Sequence, residues 1–361
     1  MPPASNRRVT LRAIAQKAEL SLAATSMALR NHPRISTKVR EQVQSLARKM
    51  GYHPDPKLAT LMHHLRAQGD VNYRETLAYV SSYDSYERWK AFPHHDYYLG
   101  AAERALELGY RLDVVHLGEP GMTPARMSHL LSTRAIRGLL IGGFDQLDAS
   151  LPLQWDRFAA VAFDYSLNTP QLHRATTDYY REMLSVLARL EREGCQRIGL
   201  NANSIDDAKV LGLWYSAFLR YQHGLPRVRR IPVNASPKAQ EGLDTWLAKH
   251  EPDAIISAGW GDFPQNFEMI HHRKAPTSIR YVNMNLSYAD ARSQGINKLS
   301  GVVGRLACEH LVAQLQRNEI GLPRYPQVMA IEGEWVDDYE SWHAQREKWR
   351  AATIRKISKP D

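Results

Sequence analysis

The chain is 361 residues long, 43% hydrophobic and 24% charged, with a formal net charge of +9; this length predicts two or three domains of a soluble globular protein. No apolar run approaches the ~20 residues that a membrane-spanning helix needs, so no membrane association is expected. The charge is uneven: residues 1–66 hold twelve Lys and Arg against Glu19, Glu41 and Asp55, so the whole excess sits in the first fifth of the chain and points to a polyanionic partner there, DNA or RNA.

The opening segment, MPPASNRRVTLRAIAQKAEL, carries arginines but no continuous apolar stretch, and is not expected to be a signal peptide. Thr10 can cap a short helix over Leu11–Ala18, with Leu11, Ile14, Ala15 and Ala18 on one face. Ser21 can cap a second helix ending near Leu29. Only Glu19 and Leu20 separate the two, too short a turn for parallel stacking, so they cross steeply. Asn31-His32-Pro33-Arg34 breaks the chain. Ser36 then caps a third helix, in which Val39, Val43, Leu46, Ala47 and Met50 recur at helical spacing and which Gly51 stops. The result is a three-helix unit of ~50 residues with a helix-turn-helix inside it, whose second helix, Ser21–Leu29, is the one expected in the major groove of DNA.

Five runs in this unit, Val9-Thr10-Leu11-Arg12-Ala13-Ile14-Ala15, Ala18-Glu19-Leu20-Ser21, Ser26-Met27-Ala28-Leu29, His32-Pro33-Arg34-Ile35-Ser36 and Gly51-Tyr52-His53-Pro54, resemble the headpiece of the LacI family of bacterial transcription regulators. By that resemblance Ser21 begins the recognition helix and touches a phosphate, Leu22 and Ala23 face base edges, and Ser26 makes a further backbone contact. Thr10 and Leu11 stand where the first helix meets the phosphates. Arg34 and Ser36 match contacts at the start of the third helix, and Tyr52 one near its end. Hydroxyls and helix N-termini position a protein on phosphate, while groove-facing side chains read sequence. The chain departs from the family at Met27, where an Arg is frequent, at Glu19, where the turn often has Gly, and at Thr25, where Val is common. Leu22 and Ala23 offer only apolar packing, for example against a thymine methyl.

Asp55–Arg66 follows as a hinge: Asp55-Pro56 suits a helix start, and Leu58, Leu61, Met62 and Leu65 fall on one side. From the residues alone this is an amphipathic helix packed on the next domain. The resemblance implies instead a helix that forms when two copies meet in the minor groove, with Leu61 as the wedge that kinks the duplex. His63 and His64 lack companion ligands, so no metal is expected there.

From Tyr73 to Gly333 short apolar runs alternate with helical stretches. Strands are predicted at Leu77–Ser81, Leu112–His116, Leu139–Ile141, Ala159–Phe163, Arg197–Leu200, Ala254–Ser257, Tyr281–Asn283 and Val328–Ile331. Helices are predicted at Tyr97–Leu108, Pro124–Leu131, Tyr179–Glu193 and Val302–Arg317. Such alternation means parallel sheets with helices on both faces. The resemblance implies two lobes of periplasmic-binding-protein type, joined by three crossings and holding a ligand between them. The crossings are expected near Thr176–Asp178, Asn283–Gln294 and Gly321–Gln327.

Open α/β sheets bind ligands at the C-terminal ends of their strands. That selects Tyr83 and Asp84, then Asp164 and Tyr165, then Asn203, Trp260, Asp262, Asn283 and Asn285 as effector-binding candidates. Where the family often clamps its effector with an Arg, this chain offers Asp206-Asp207-Ala208-Lys209, leaving Lys209 as the candidate cation. Aromatic plates among Asp and Asn suit a sugar-like effector, since a carboxylate or amide takes paired hydroxyls while a ring covers the apolar sugar face.

Residues 339–361 read as a polar, basic tail without the leucine heptads that drive tetramers, so a dimer formed through the body is expected. Cys195 and Cys308 lie far apart and are expected to be reduced thiols of a cytoplasmic protein. The sequence has no GxGxxG, P-loop, GxSxG or HExxH, so neither a cofactor nor enzymatic activity is expected. The fold class that follows is an all-α three-helix DNA-binding headpiece followed by an α/β two-lobed periplasmic-binding-protein-like domain. Its expected parts are a headpiece at 8–54, a hinge helix and linker at 55–70, an effector-binding and dimerisation domain at 71–338, and the tail. The function expected is a sequence-specific repressor, dimeric on a palindromic DNA operator and modulated by a sugar-like effector. The alternative is a small-molecule receptor without regulated DNA binding, against which the +9 N-terminal segment stands.

Overall fold

A computed structural model describes residues 11–29, 35–50, 75–90, 92, 94–236, 242–259, 263–272, 274–288 and 293–358. The N-terminal helices form one compact unit and the two sheets belong to another.

In the first unit α1 (Leu11–Lys17), α2 (Leu22–Leu29) and α3 (Thr37–Lys49) close around Ile14, Ala28 and Val43, all fully buried. The turn out of α1 passes through Glu19 in the left-handed region, at φ 54°, and the N–H of Leu20 returns to the carbonyl of Ala15 at 3.0 Å. A left-handed residue ends a helix sharply, and glycine is the usual choice. Thr25, an inward hydroxyl, is fully buried and donates to the carbonyl of Ser21 at 3.0 Å, so its polar group is satisfied within its own helix. Ser36 caps α3 by accepting from the N–H of Val39, and Gln44 of α3 donates to the carbonyl of Ala28. Thr10, Arg34, Tyr52 and the hinge with Leu61 lie outside the described residues.

The second unit opens with β1 (Glu75–Ser81), α4 (Tyr86–Trp89), α5 (His94–Glu107), β2 (Tyr110–His116), α6 (Pro124–Thr133) and β3 (Gly138–Ile141). It continues through β4 (Ala149–Ser150), β5 (Ala159–Phe163), β6 (Leu167–Thr169) and β7 (His173–Thr177). A second lobe follows, with α7 (Tyr179–Arg192), β8 (Ile198–Asn203), α8 (Ser204–Lys209), α9 (Leu213–His223) and β9 (Asn234–Ser236). It goes on to α10 (Leu243–His250), β10 (Ala254–Ala258), α11 (Phe263–His271), β11 (Arg280–Asn283) and β12 (Gln294–Asn297). The chain then runs through α12 (Ser300–Arg317) to β13 (Val328–Ile331), β14 (Glu334–Val336) and α13 (Tyr339–Ile357).

The first sheet has the order β13-β7-β5-β3-β1-β2 and is parallel throughout. The second has the order β14-β12-β11-β10-β8-β9 and is parallel except for β14. Strands β3, β5 and β10 are buried along their whole length, as strands covered on both faces must be, which is why they read as unbroken apolar runs. Where α5 meets α12 the backbones touch: a Cβ at Gly100 or Gly304 would overlap the facing main chain, so only glycine fits.

The chain passes between the lobes three times, and two of the crossings differ from expectation. The first, after Thr177, lies where the sequence places it. Asn283–Gln294 does not leave the second lobe, because β11 and β12 pair side by side; the crossing comes at Lys298–Leu299. Gly321–Gln327 leads into β13 of the first sheet, and the last crossing is Glu332–Gly333, between β13 and β14.

The C-terminal residues are not a tail. Asp338 caps α13 by accepting from the N–H of Ser341, and Tyr339 and Trp342 pack on Leu286 of the second lobe. Further along, Arg346 (2.7 Å) and Arg350 (3.2 Å) reach Asp96 of α5 in the first lobe, and Asp96 is 3% exposed. The helix thus lies across both lobes. Among the described residues, no helix is long and apolar enough to cross a membrane.

Candidate effector cleft and DNA-facing helix

A cavity opens between the lobes at the C-terminal edges of the sheets. From the first lobe it is lined by His94 and Tyr97 of α5, Gly143 and Phe144 after β3, and Asp164 and Ser166 after β5. From the second come Tyr179 of α7, Asp206 and Lys209 of α8 with Val210, and Trp214 of α9. Gly259 after β10, Asn285 after β11, and Lys298 and Ser300 at the second crossing complete it.

Asp164 gathers three hydroxyls in the cavity wall. Its Oδ1 accepts from the Tyr179 hydroxyl (2.7 Å) and the Thr176 hydroxyl (2.9 Å), and its Oδ2 from the Tyr97 hydroxyl (3.0 Å). It sits at φ 52°, a left-handed conformation costing of order 1–3 kcal/mol at a non-glycine residue. The Arg174 guanidinium donates to its carbonyl at 3.0 Å and to that of Leu167 at 2.7 Å, which holds the turn. Burial, and then Asp164 itself, drive the Tyr179 phenol well above its ordinary range, so it remains a donor.

Across the cleft, Lys298 is 4% exposed, with Nζ 3.9 Å from the Tyr179 ring centre and 4.6 Å from that of Trp214. Burial lowers its pKa, against the attraction of Glu182, Asp164 and Asp206. Glu182 is itself buried, which raises it to about 7, while Lys298 pulls the other way. Its Oε1 accepts from the N–H of Gly333 at the third crossing (3.1 Å). Burial also lowers His94, keeping the imidazole neutral. Lys209 stands 3.8 Å from Asp206.

Of the effector candidates chosen from sequence, Asp164, Lys209 and Asn285 line the cavity. Others have structural work elsewhere. Tyr83 stacks on Phe92 (4.8 Å between ring centres), with its hydroxyl 3.4 Å from Asp145. Asp84 pairs with Arg88 on the surface at 3.2 Å. Tyr165 lies under Arg174. Asn203 caps α8 by accepting from the N–H groups of Ile205 and Asp206, and Asn283 is buried, accepting from the N–H of Asn285. These five do not line the cavity, because residues at a strand end also cap helices and hold turns. Trp260 and Asp262 lie outside the described residues. The strand-end rule passes over His94, Tyr97, Tyr179 and Trp214, which come from helices, and Lys298, which comes from a crossing. A lysine inside the otherwise quiet run Gly295-Ile296-Asn297-Lys298-Leu299 is the signal that was there to find.

In the N-terminal unit, Ser21 accepts the N–H of Ala24 at 3.0 Å, which caps α2 and leaves its hydroxyl hydrogen for another acceptor. Leu22, Ala23 and Ser26 stand in the first turns of α2, Leu11 opens α1, and Ser36 precedes α3.

Residues 10–55 match the family model described as bacterial regulatory proteins, lacI family. No curated protein matches the chain by sequence. Among solved structures, the transcriptional regulator CelR in complex with cellobiose is similar at 18% identity, covering 91% of this chain and 98% of that one, with a TM-score of 0.52. The Lac repressor bound to ONPG is similar at 15% identity, covering 92% and 99%, with a TM-score of 0.50. A LacI-family regulator CCPA from Weissella paramesenteroides with bound sucrose is similar at 14% identity, covering 73% and 97%, with a TM-score of 0.51. At these identities the likeness is one of fold: a helical headpiece followed by an α/β domain with parallel sheets.

Proposed function

We propose, from the match of residues 10–55 to the lacI-family model and the fold that the chain shares with CelR and the Lac repressor, that the chain is a sequence-specific transcription regulator of that family acting as a repressor in the cytoplasm. Residues 8–54 form the DNA-binding part and 55–70 the hinge. The rest, α13 included, is the effector-binding and dimerisation part. Two copies meet a roughly palindromic operator. Thr10, Leu11, Ser21, Ser26, Arg34, Ser36 and Tyr52 hold the phosphates, Leu22 and Ala23 pack on base edges, and Leu61 wedges the minor groove. A small polar ligand in the cleft, bound by Asp164, Lys209 and Asn285, shifts the lobes and through them the seating of the hinges. The bound cellobiose and sucrose of the two similar regulators support a sugar-like class.

The observation that carries this reading is the family match over residues 10–55, and the confinement of the net +9 to residues 1–66 agrees with it. The test is a fluorescence titration against DNA from upstream of the chain's own gene, with a scrambled duplex as control, at rising salt. Binding to the upstream DNA is expected to be at least ~1,000-fold tighter than to the control, and both affinities to fall steeply with salt. An affinity indifferent to salt removes the phosphate-anchored headpiece. Leu61→Ala is expected to weaken specific binding far more than non-specific binding, and equal loss on both duplexes removes the wedge.

A further inference from the structure

The polar groups around the cleft are unevenly satisfied. Its carboxylates are occupied: Asp164 receives three hydroxyls and Asp206 faces Lys209. Three of its donors are not. Among the described residues Lys298 Nζ has no hydrogen-bond acceptor; it stands over the faces of Tyr179 and Trp214, with Glu182, Asp164 and Asp206 attracting it from further off. The indole Nε1 of Trp214 is buried without an acceptor. Asn285 uses its Oδ1 on the N–H of Ser287 (3.3 Å), and its Nδ2 donates to nothing. These three side chains are 4%, 3% and 8% exposed.

A buried N–H without an acceptor, as at Trp214 Nε1, carries a desolvation penalty until an acceptor arrives, and Lys298 and Asn285 line the same cavity with donors to offer it. A neutral sugar brings acceptors, but every hydroxyl also brings a proton that needs one, and the carboxylates here are already engaged. An anionic group brings acceptors alone. Lys209 adds a second ammonium to the cavity wall.

We propose that the effector of this cleft is an anionic polyol, a sugar acid or a sugar phosphate, whose anionic oxygens are received by Lys298, Trp214 Nε1 and Asn285 Nδ2. The inference rests on the reading of this cleft as the effector site. It makes Lys298, from the second crossing, the residue that selects charge, and it gives the ligand a direct hold on the segment that joins the lobes.

The test uses the full chain and two matched series: glucose, glucuronate and glucose 6-phosphate, then galactose, galacturonate and galactose 6-phosphate. Melting shifts and calorimetry are read for each. At least one anionic member is expected to bind about tenfold or more tightly than its neutral parent, as a charge-assisted hydrogen bond implies. Lys298→Gln and Lys298→Met are each expected to erase that preference. Trp214→Phe, which keeps the ring and removes only the N–H, is expected to weaken the anion severalfold. Circular dichroism and the melting temperature without ligand report that each variant is folded. The carboxylate and phosphate arms distinguish the two sources of the anion. Binding of a neutral parent as tight as that of its anionic partners overturns the anionic assignment and leaves the effector cleft standing. No shift with any member overturns both. An anion preference that survives both Lys298 variants overturns the role given to Lys298.

Discussion

Glu19 and Asp164 both hold left-handed backbone with a side chain attached, one in a turn of the headpiece and one in the wall of the cleft. For Glu19 the bonds of the turn among the described residues are made by its backbone, so Glu19→Gly is expected to raise the melting temperature of the N-terminal unit, by an amount equivalent to roughly 1 kcal/mol. For Asp164 the side chain is what holds the site together. Asp164→Ala leaves the Tyr97 and Tyr179 hydroxyls without their acceptor, while Thr176 keeps the carbonyl of Thr177, and at ~1–3 kcal/mol for each stranded group it is expected to cost the body roughly 2 kcal/mol or more in urea unfolding, with Asp164→Asn intermediate. His95 gives a pH dependence. Burial, then Arg350, Arg346 and Lys90, push its imidazole down to about 3. An unfolded histidine titrates near ~6.5, so below that pH the unfolded chain gains a proton that the folded chain refuses. Stability is therefore expected to fall as pH drops from ~6.5 toward ~3, by up to ~1.4 kcal/mol per unit from this residue. Asp96, raised by burial, acts in the opposite direction at the acid end. Unfolding midpoints measured across that range are expected to show a shallower slope in His95→Gln.

At the scale of elements, α13 shows how a charged surface helix hides from sequence. It buries little along its length, so no apolar stripe marks it, and its anchorage is an ion-pair cluster visible only once α5 lies beside it. Asp96→Ala removes the carboxylate that Arg346 and Arg350 share, while Arg350 keeps Glu347 and the carbonyl of Lys90, and is expected to destabilise the protein by ~2–3 kcal/mol, read as a drop in melting temperature. Strands behaved according to their surroundings. The apolar runs of β1, β3, β5 and β10 were legible, because a strand covered on both faces can hardly be anything else. His173–Thr177 and Gln294–Asn297 were not, since their polar side chains are satisfied by partners that the fold supplies. The guanidinium of Arg174 inside β7 is buried only because the carbonyls of Asp164 and Leu167 await it. The cleft divides the same way. Asp164 and Asn285 follow from the strand-end rule, whereas Tyr97, Tyr179, Trp214 and Lys298 depend on where helices start and where the chain crosses between lobes. No local pattern encodes that path.

For the molecule as a whole, the three crossings make the cleft wall and the joints between the lobes one structure: Tyr179, Lys298 and Ser300 line the cavity within two residues of a crossing. A ligand there is expected to change operator affinity by about 5- to 150-fold, the range of an ordinary coupling between sites, measured as the ratio of affinities with and without ligand. The same weaving has a consequence for how the protein is made. Helices α1–α3 are complete once Lys49 has left the ribosome, but the edge strand of the first sheet arrives only with Val328–Ile331, and the helix that lies across both lobes only after that strand. Domains tend to fold as they emerge, N-terminal parts first. A chain that stops before Val328 therefore has all three N-terminal helices but lacks both the edge strand of its first sheet and the helix that ties the two lobes together.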